Sequence, residues 1–229
     1  MNVFFRLGSL ALLLSPYVMH AQPTRSDPVD VQGWFGTSMT LDLKKKWEVG
    51  VDYQVRLQNN LRTYKGSYLS FSAAKMLNKR LGLQAEYRLA RVASASFHRF
   101  SVGGEYEPKL SVVDLSVRVL FLNNIQDFLD PAEATQQELF WRARLKASIR
   151  VNKQWDVYAS VEPVMMFGGN SFVDNLRNMV GVKKRLSKFS RLDLSYMYRP
   201  DYAKATYRRY FHVVGANLDF RLAPGKKKK

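Results

Sequence analysis

Between Trp47 and Gln58 the sequence alternates without a fault. Trp47, Val49, Val51, Tyr53, Val55 and Leu57 share one parity, and Glu48, Gly50, Asp52, Gln54, Arg56 and Gln58 share the other. Successive side chains of a β-strand leave opposite faces, so the stretch predicts a strand with one wholly apolar and one wholly polar side. Lys44-Lys45-Lys46, just before it, predicts a tight basic turn.

The same unit, a turn that launches an amphipathic strand, recurs along the chain. Alternation predicts strands at about 33–43, 47–57, 67–77, 81–89, 97–106, 113–121, 139–150, 155–161, 172–186, 191–199 and 207–221, the ninth with the weakest alternation. Tight turns follow the odd strands. Longer loops follow the even ones, at 59–66, 93–96, 123–136, 167–170 and 201–206. Short connections at one end and long ones at the other are the pattern of outer-membrane barrels. Hairpins restart at Trp47, Leu81, Val113, Trp155 and Phe189, a spacing that would also suit a solenoid. A continuous apolar band with aromatic residues near its ends favours the barrel.

The fold expected is therefore all-β, a single antiparallel up-and-down transmembrane β-barrel. Bacterial single-chain barrels have even strand numbers. Eleven alternating faces thus predict twelve strands, one of them overlooked, with ten as the alternative. A soluble β-sandwich or lipocalin-like barrel would turn the same apolar faces inward.

The chain opens with Arg6 and the apolar run Leu7–Leu14, followed by Met19-His20-Ala21. This predicts a cleaved secretory signal peptide over 1–21. A polar leader at 22–32, the barrel at 33–222 and a basic tail at 223–229 follow. A helical span needs roughly 20 apolar residues, and no later stretch approaches that. The absence of cysteine excludes disulfides and thiolate metal sites. Formal net charge is +17. Such an excess favours anionic partners, here outer-membrane lipids or lipopolysaccharide. Basic residues are spread among acids, so no nucleic-acid partner is expected. The expected location is the cell outer membrane, with the barrel-assembly machinery as the partner during insertion.

On the polar faces, arginines and carboxylates come close to balance, which predicts cross-strand ion pairs filling a narrow lumen. The seventh strand carries a local basic excess. Arg99, Arg118, Arg142, Arg144 and Lys146 form the candidate lumen cluster, able to line an anion path or bind a sugar phosphate, or simply to pair with neighbouring carboxylates. Trp47, Trp155, Tyr53 and Tyr87 lie on apolar faces and are candidates for the lipid interface, where Trp and Tyr concentrate. His98, near Ser94 and Ser96, is the nearest approach to a hydrolase constellation, since small outer-membrane barrels include lipid-modifying enzymes. Adjacency in sequence does not assemble a triad. No catalytic, cofactor-binding or metal-binding residue is assigned, and no cofactor is expected.

Trp34 opens the first strand, and Lys46-Trp47 opens one that reaches Arg56. Tyr87-Arg88, His98-Arg99, Arg142-Ala143-Arg144 and Asn175-Leu176-Arg177 with Gly181 follow. With a signal peptide ahead of them, these features resemble the bacterial family of predicted outer-membrane β-barrel proteins catalogued only as a domain of unknown function. The resemblance implies a barrel at the cell envelope and carries no established activity. The function expected is that of an outer-membrane barrel, structural or a narrow channel with a charged, largely plugged lumen. A small lipid-modifying enzyme and a soluble periplasmic ligand-binding barrel are the alternatives.

Overall fold

A computed structural model describes residues 29–92, 95–110, 112–126, 137–167, 173–202 and 208–223. The expected signal peptide, the first part of the leader, Ser94 and the basic tail from 224 onward lie outside the described residues.

The strands are β1 (Val29–Asp42), β2 (Trp47–Gln58), β3 (Thr63–Met76), β4 (Leu81–Val92), β5 (Ala95–Tyr106), β6 (Asp114–Gln126), β7 (Gln137–Arg150), β8 (Trp155–Met166), β9 (Val173–Arg185), β10 (Ser190–Asp201) and β11 (Arg209–Leu222). They close into one barrel in chain order. Each consecutive pair is antiparallel. The closing pair is different: β1 runs parallel to β11, from Val29 opposite Tyr210 to Leu41 opposite Leu222.

The barrel therefore has eleven strands, one fewer than the twelve expected and one more than the alternative of ten. Alternating directions cannot close an odd ring, so one neighbouring pair must be parallel. The even-number expectation assumed that every pair is antiparallel. With the parallel seam, every face read from alternation has a place in the wall. A further consequence is that Val29 and Leu222 lie at opposite ends of the barrel.

One end, the turn end, carries the connections at 43–46, 77–80, 107–113, 151–154 and 186–189. The other, the loop end, carries 59–62, 93–94, 127–136, 167–172 and 202–208. The expected contrast in length holds only in part. The connections at 59–62 and 93–94 are as short as those of the turn end, and 107–113 is longer than its neighbours. β3 starts at Thr63 because Asn59, Asn60 and Leu61 take left-handed φ of 55°, 54° and 67° and reverse the chain at once. Asparagine tolerates that conformation through its short polar side chain, which is why the polar run reads as a longer loop.

The apolar faces point outward. Met39, Val51, Phe71, Leu83, Val102, Phe121, Leu145, Val180, Leu194 and Phe220 are all exposed on the outer wall. The inner wall is polar at mid-height and at the turn end. Toward the loop end it becomes apolar, with Tyr68, Ala90, Leu122, Val164 and Phe211 buried. β9 read poorly because its outer face mixes kinds. Asn178 and Lys184 share that face with Leu176, Val180 and Val182, which register fixes through Val157–Val182 and Ala159–Val180.

Candidate functional site

The inner wall at mid-height is organised around Glu162 of β8, which is 5% exposed. Arg118 of β6 donates to one carboxylate oxygen at 3.1 Å. Arg177 of β9 donates to the other at 3.2 Å, and Arg142 of β7 donates to that same oxygen through Nε and Nη2. The register explains the convergence, since Arg177 lies directly across from Glu162. Arg177 is held a second time, its Nε donating to Asn175 at 3.1 Å. A buried carboxylate can balance only one positive charge, so this hub keeps a surplus of guanidinium.

Across the barrel, near the parallel seam, guanidinium groups are held by aromatic faces. Arg56 of β2 lies 3.8 Å from the centre of the Trp34 ring and 3.9 Å from that of Tyr68, a sandwich. Arg199 of β10 sits 4.3 Å from the Phe211 ring and 5.9 Å from Trp34. Rings and cations thus alternate along the wall from β3 through β1 to β11. The attraction is to the ring quadrupole, so each arginine keeps its full charge.

Both walls border a cavity of about 310 Å³. Arg118, Arg142, Arg144 and Lys146 enter it from β6 and β7, and Arg56, Arg88, Arg177 and Lys183 from β2, β4 and β9. Only two carboxylates, Glu162 and Asp193, share the lining with those eight cations. Glu86 and Glu105 stand outside the lining and pair with Arg88 at 3.2 Å and Arg144 at 2.9 Å. With these added, cations still outnumber carboxylates two to one.

Toward the turn end the cavity adjoins two further spaces. A space of about 700 Å³ at that end shares Asp114, Lys146 and Ser148 with a smaller one of about 200 Å³. That one in turn shares Lys146, Tyr158 and Lys183 with the arginine cavity. Tyr158 stands at the junction with its ring against Gly181, where an added Cβ would lie 2.5 Å from the ring. Its hydroxyl bonds to Asp193 at 2.8 Å, and Lys146 Nζ is 4.6 Å from the ring centre.

Of the candidate lumen cluster, Arg118, Arg142, Arg144 and Lys146 line the cavity. Arg99 is also on the inner wall but is engaged elsewhere, its Nε donating to Asn124 at 2.7 Å. The near balance of charge read along the strands does not hold locally. Carboxylates such as Asp42 and Glu48 gather at the turn-end rim, where Arg221 pairs with them at 2.7 and 2.6 Å. Sequence reasoning missed Arg177 and Lys183, because β9 gave no clear parity. The signal was there in Val180 and Val182, which put odd-numbered residues inside.

The interface candidates all lie on the outer wall. Trp47 and Trp155 each start a strand at the turn end, and each stands directly opposite a lysine, Lys75 and Lys184, whose ammonium is 5.1 Å from the ring centre. Tyr53 is exposed between Thr37 and Leu69. Tyr87 bonds through its hydroxyl to His98 Nδ1 at 2.8 Å, and Tyr196 and His212 repeat that pairing at 2.6 Å. Ser96, the serine near His98 within the described residues, accepts a hydrogen bond from Arg91 at 2.8 Å, and His98 is turned to the phenol.

In overall shape the chain is similar to a bacterial polysaccharide outer membrane secretin, at 14% identity and a TM-score of 0.49, over 74% of this chain and 62% of that one. It is also similar to the anion-selective porin from Comamonas acidovorans, at 16% identity and a TM-score of 0.39, over 80% of this chain and 54% of that one. The chain thus spans less than two thirds of either structure. No curated protein matches it. Residues 31–210, from the third residue of β1 to the second of β11, match the model of a family described as protein of unknown function (DUF2490), and the chain belongs to that family.

Proposed function

We propose that the chain is a β-barrel of the bacterial outer membrane whose lumen takes up small anions from the turn end. The observation that carries this reading is the cavity lined by eight cationic side chains and two carboxylates. A low-dielectric wall bearing one sign of charge concentrates counter-ions. The outer wall supports the location. A soluble protein does not expose an apolar belt running round its whole girth, whereas hydrocarbon requires one. Trp47 and Trp155, each beside a lysine, suit the headgroup level, where the ammonium meets lipid phosphate or lipopolysaccharide. Short turns are periplasmic in bacterial barrels, so the open end of the lumen faces the periplasm.

The lumen is too constricted for a diffusion pore, which takes about 16 strands. Tyr68, Leu122, Val164 and Phe211, all buried on the inner wall toward the loop end, support a lumen that narrows there. The reading is therefore a binding lumen with little through-conduction.

Three measurements test it. In the outer-membrane fraction the protein should migrate differently before and after boiling, as closed barrels do. Its urea midpoint, at constant ionic strength, should depend on which anion is present and not on which cation. Recovery from the soluble fraction would overturn the location, and a midpoint that follows the cation would overturn the lumen reading. Planar bilayers should show flat current.

A further inference from the structure

The anion-filled lumen proposed above leaves the ligand's chemistry open, and the donor geometry narrows it. Glu162 receives four N–H bonds from Arg118, Arg142 and Arg177. A carboxylate has about four acceptor positions, so it is saturated, while three guanidinium groups carry about fifteen N–H donors between them. Arg177 gives one more to Asn175, and most of the rest have no partner among the described residues.

Two further donors lack any partner. Trp34 Nε1 and Arg144 Nε are buried and without a hydrogen bond among the described residues. Both residues line the same cavity. A buried donor left unmade is costly, and acceptors arriving from a ligand would relieve it. Lys146, which borders all three spaces, has no carboxylate within ion-pair distance among the described residues.

We infer that the arginine cavity is a binding site for a compact, multiply charged oxyanion, a phosphate or a phosphate ester. This rests on the reading of the lumen as an anion cavity and adds to it. A halide supplies charge but no directed acceptors, and a planar guanidinium fork matches two oxygens of one anion. A single carboxylate brings one negative charge, whereas a phosphate brings about −1.5 to −2 and three acceptor oxygens. That is the better match to a lining in which cations outnumber carboxylates eight to two. A volume of about 310 Å³ leaves room for more than bare phosphate, so a sugar-sized ester is within its reach.

The test is calorimetric titration of the purified full-length barrel in detergent, at neutral pH and constant ionic strength. The probes are inorganic phosphate, glucose 6-phosphate and chloride. Saturable binding of either phosphate at least ten-fold tighter than chloride is expected, and the tighter of the two identifies free anion or ester as the source. Arg177→Lys keeps the charge and loses the fork, so it should weaken phosphate at least ten-fold and leave chloride unchanged. Arg88→Lys, outside the Glu162 hub and paired with Glu86, gives the same comparison if Arg177→Lys loses heat-modifiable migration. Chloride binding as tightly as phosphate would overturn the oxyanion assignment and leave the anion lumen standing. No response to any anion would overturn both.

Discussion

Arg142 and Arg56 line one cavity and are held in it by different chemistry. Arg142 shares the Glu162 carboxylate with Arg118 and Arg177, while Arg56 lies between the rings of Trp34 and Tyr68. A carboxylate cancels the charge it holds. An aromatic face holds a guanidinium and cancels nothing; Arg56 gives its Nε to Gln54 at 2.7 Å and keeps its charge. The two walls also fail differently. An ion hub is strong while complete and costly once one member is gone, because the remaining charges are stranded. A stack loses its contacts one at a time. The stack spans the parallel seam, whose strands are the farthest apart in the chain, so graded failure falls where closure is least local.

The sharpest way to break this contrast is Glu162→Gln. It leaves three partly buried guanidinium groups without their counter-ion and should cost about 3 kcal/mol, the low end for breaking a buried pair, read as a fall in the urea midpoint of the barrel in detergent. Phosphate should recover much of the loss, since a bound anion takes over the role of the carboxylate. A loss under about 1 kcal/mol would mean that the hub is solvated like a surface pair, and the distinction between the walls would fall.

Trp34→Leu removes one ring from two cations at once. At about 0.5–2 kcal/mol for each contact, the expected loss is about 2 kcal/mol. Trp34→Phe should restore part of it, because a smaller ring still offers a face. Equal losses for the leucine and phenylalanine variants would show that Trp34 acts by bulk alone.

How much of this could be read beforehand depended on whether the determinant was local. The parity of Trp47–Gln58 placed Arg56 inside and Val51 outside, and both are there. All eleven strands announced themselves in that way. The parallel pairing of β1 with β11 has no local signature, since each strand's pattern is the same whichever way its neighbour runs. That is why the count was set from a parity rule and came out even. The lumen site was legible by halves. Arg118, Arg142, Arg144 and Lys146 stood out as a cluster on adjacent strands. Their relation to Glu162 and Arg177 depends on register across β7, β8 and β9, and β9 hid its facing behind Asn178 and Lys184 on the outer wall. The segregation of carboxylates to the rim was invisible because composition sums over height.

Gly181→Ala probes the route by which the cavity is reached. The Tyr158 ring lies where the new Cβ would be, with ring atoms at 2.5 Å, so the ring must leave the wall and move toward the lumen. Overpacking of this kind costs about 1–3 kcal/mol, and the low end is expected because the lumen offers space. The larger effect should be on access. A ring displaced beside Lys146 and Lys183 narrows the junction between the turn-end space and the arginine cavity. Anion association should slow, while the urea midpoint in chloride falls by no more than that low-end cost of about 1 kcal/mol. Unchanged association kinetics would place the entry elsewhere.

The smallest effect expected is also the most discriminating for the stacked wall. Tyr68 contacts Arg56 through its ring face, with the guanidinium carbon 3.9 Å from the centre, and no hydrogen bond among the described residues holds its hydroxyl. Phenylalanine presents a similar face, so Tyr68→Phe should alter stability by less than about 0.5 kcal/mol. Tyr68→Leu removes the face and should cost about 1 kcal/mol or more, with the loss of burial added. If the phenylalanine variant falls as far as the leucine variant, the hydroxyl and not the ring is what holds Arg56. The seam side would then be held by hydrogen bonding, as the Glu162 side is, and its arginines would no longer owe their free charge to aromatic faces.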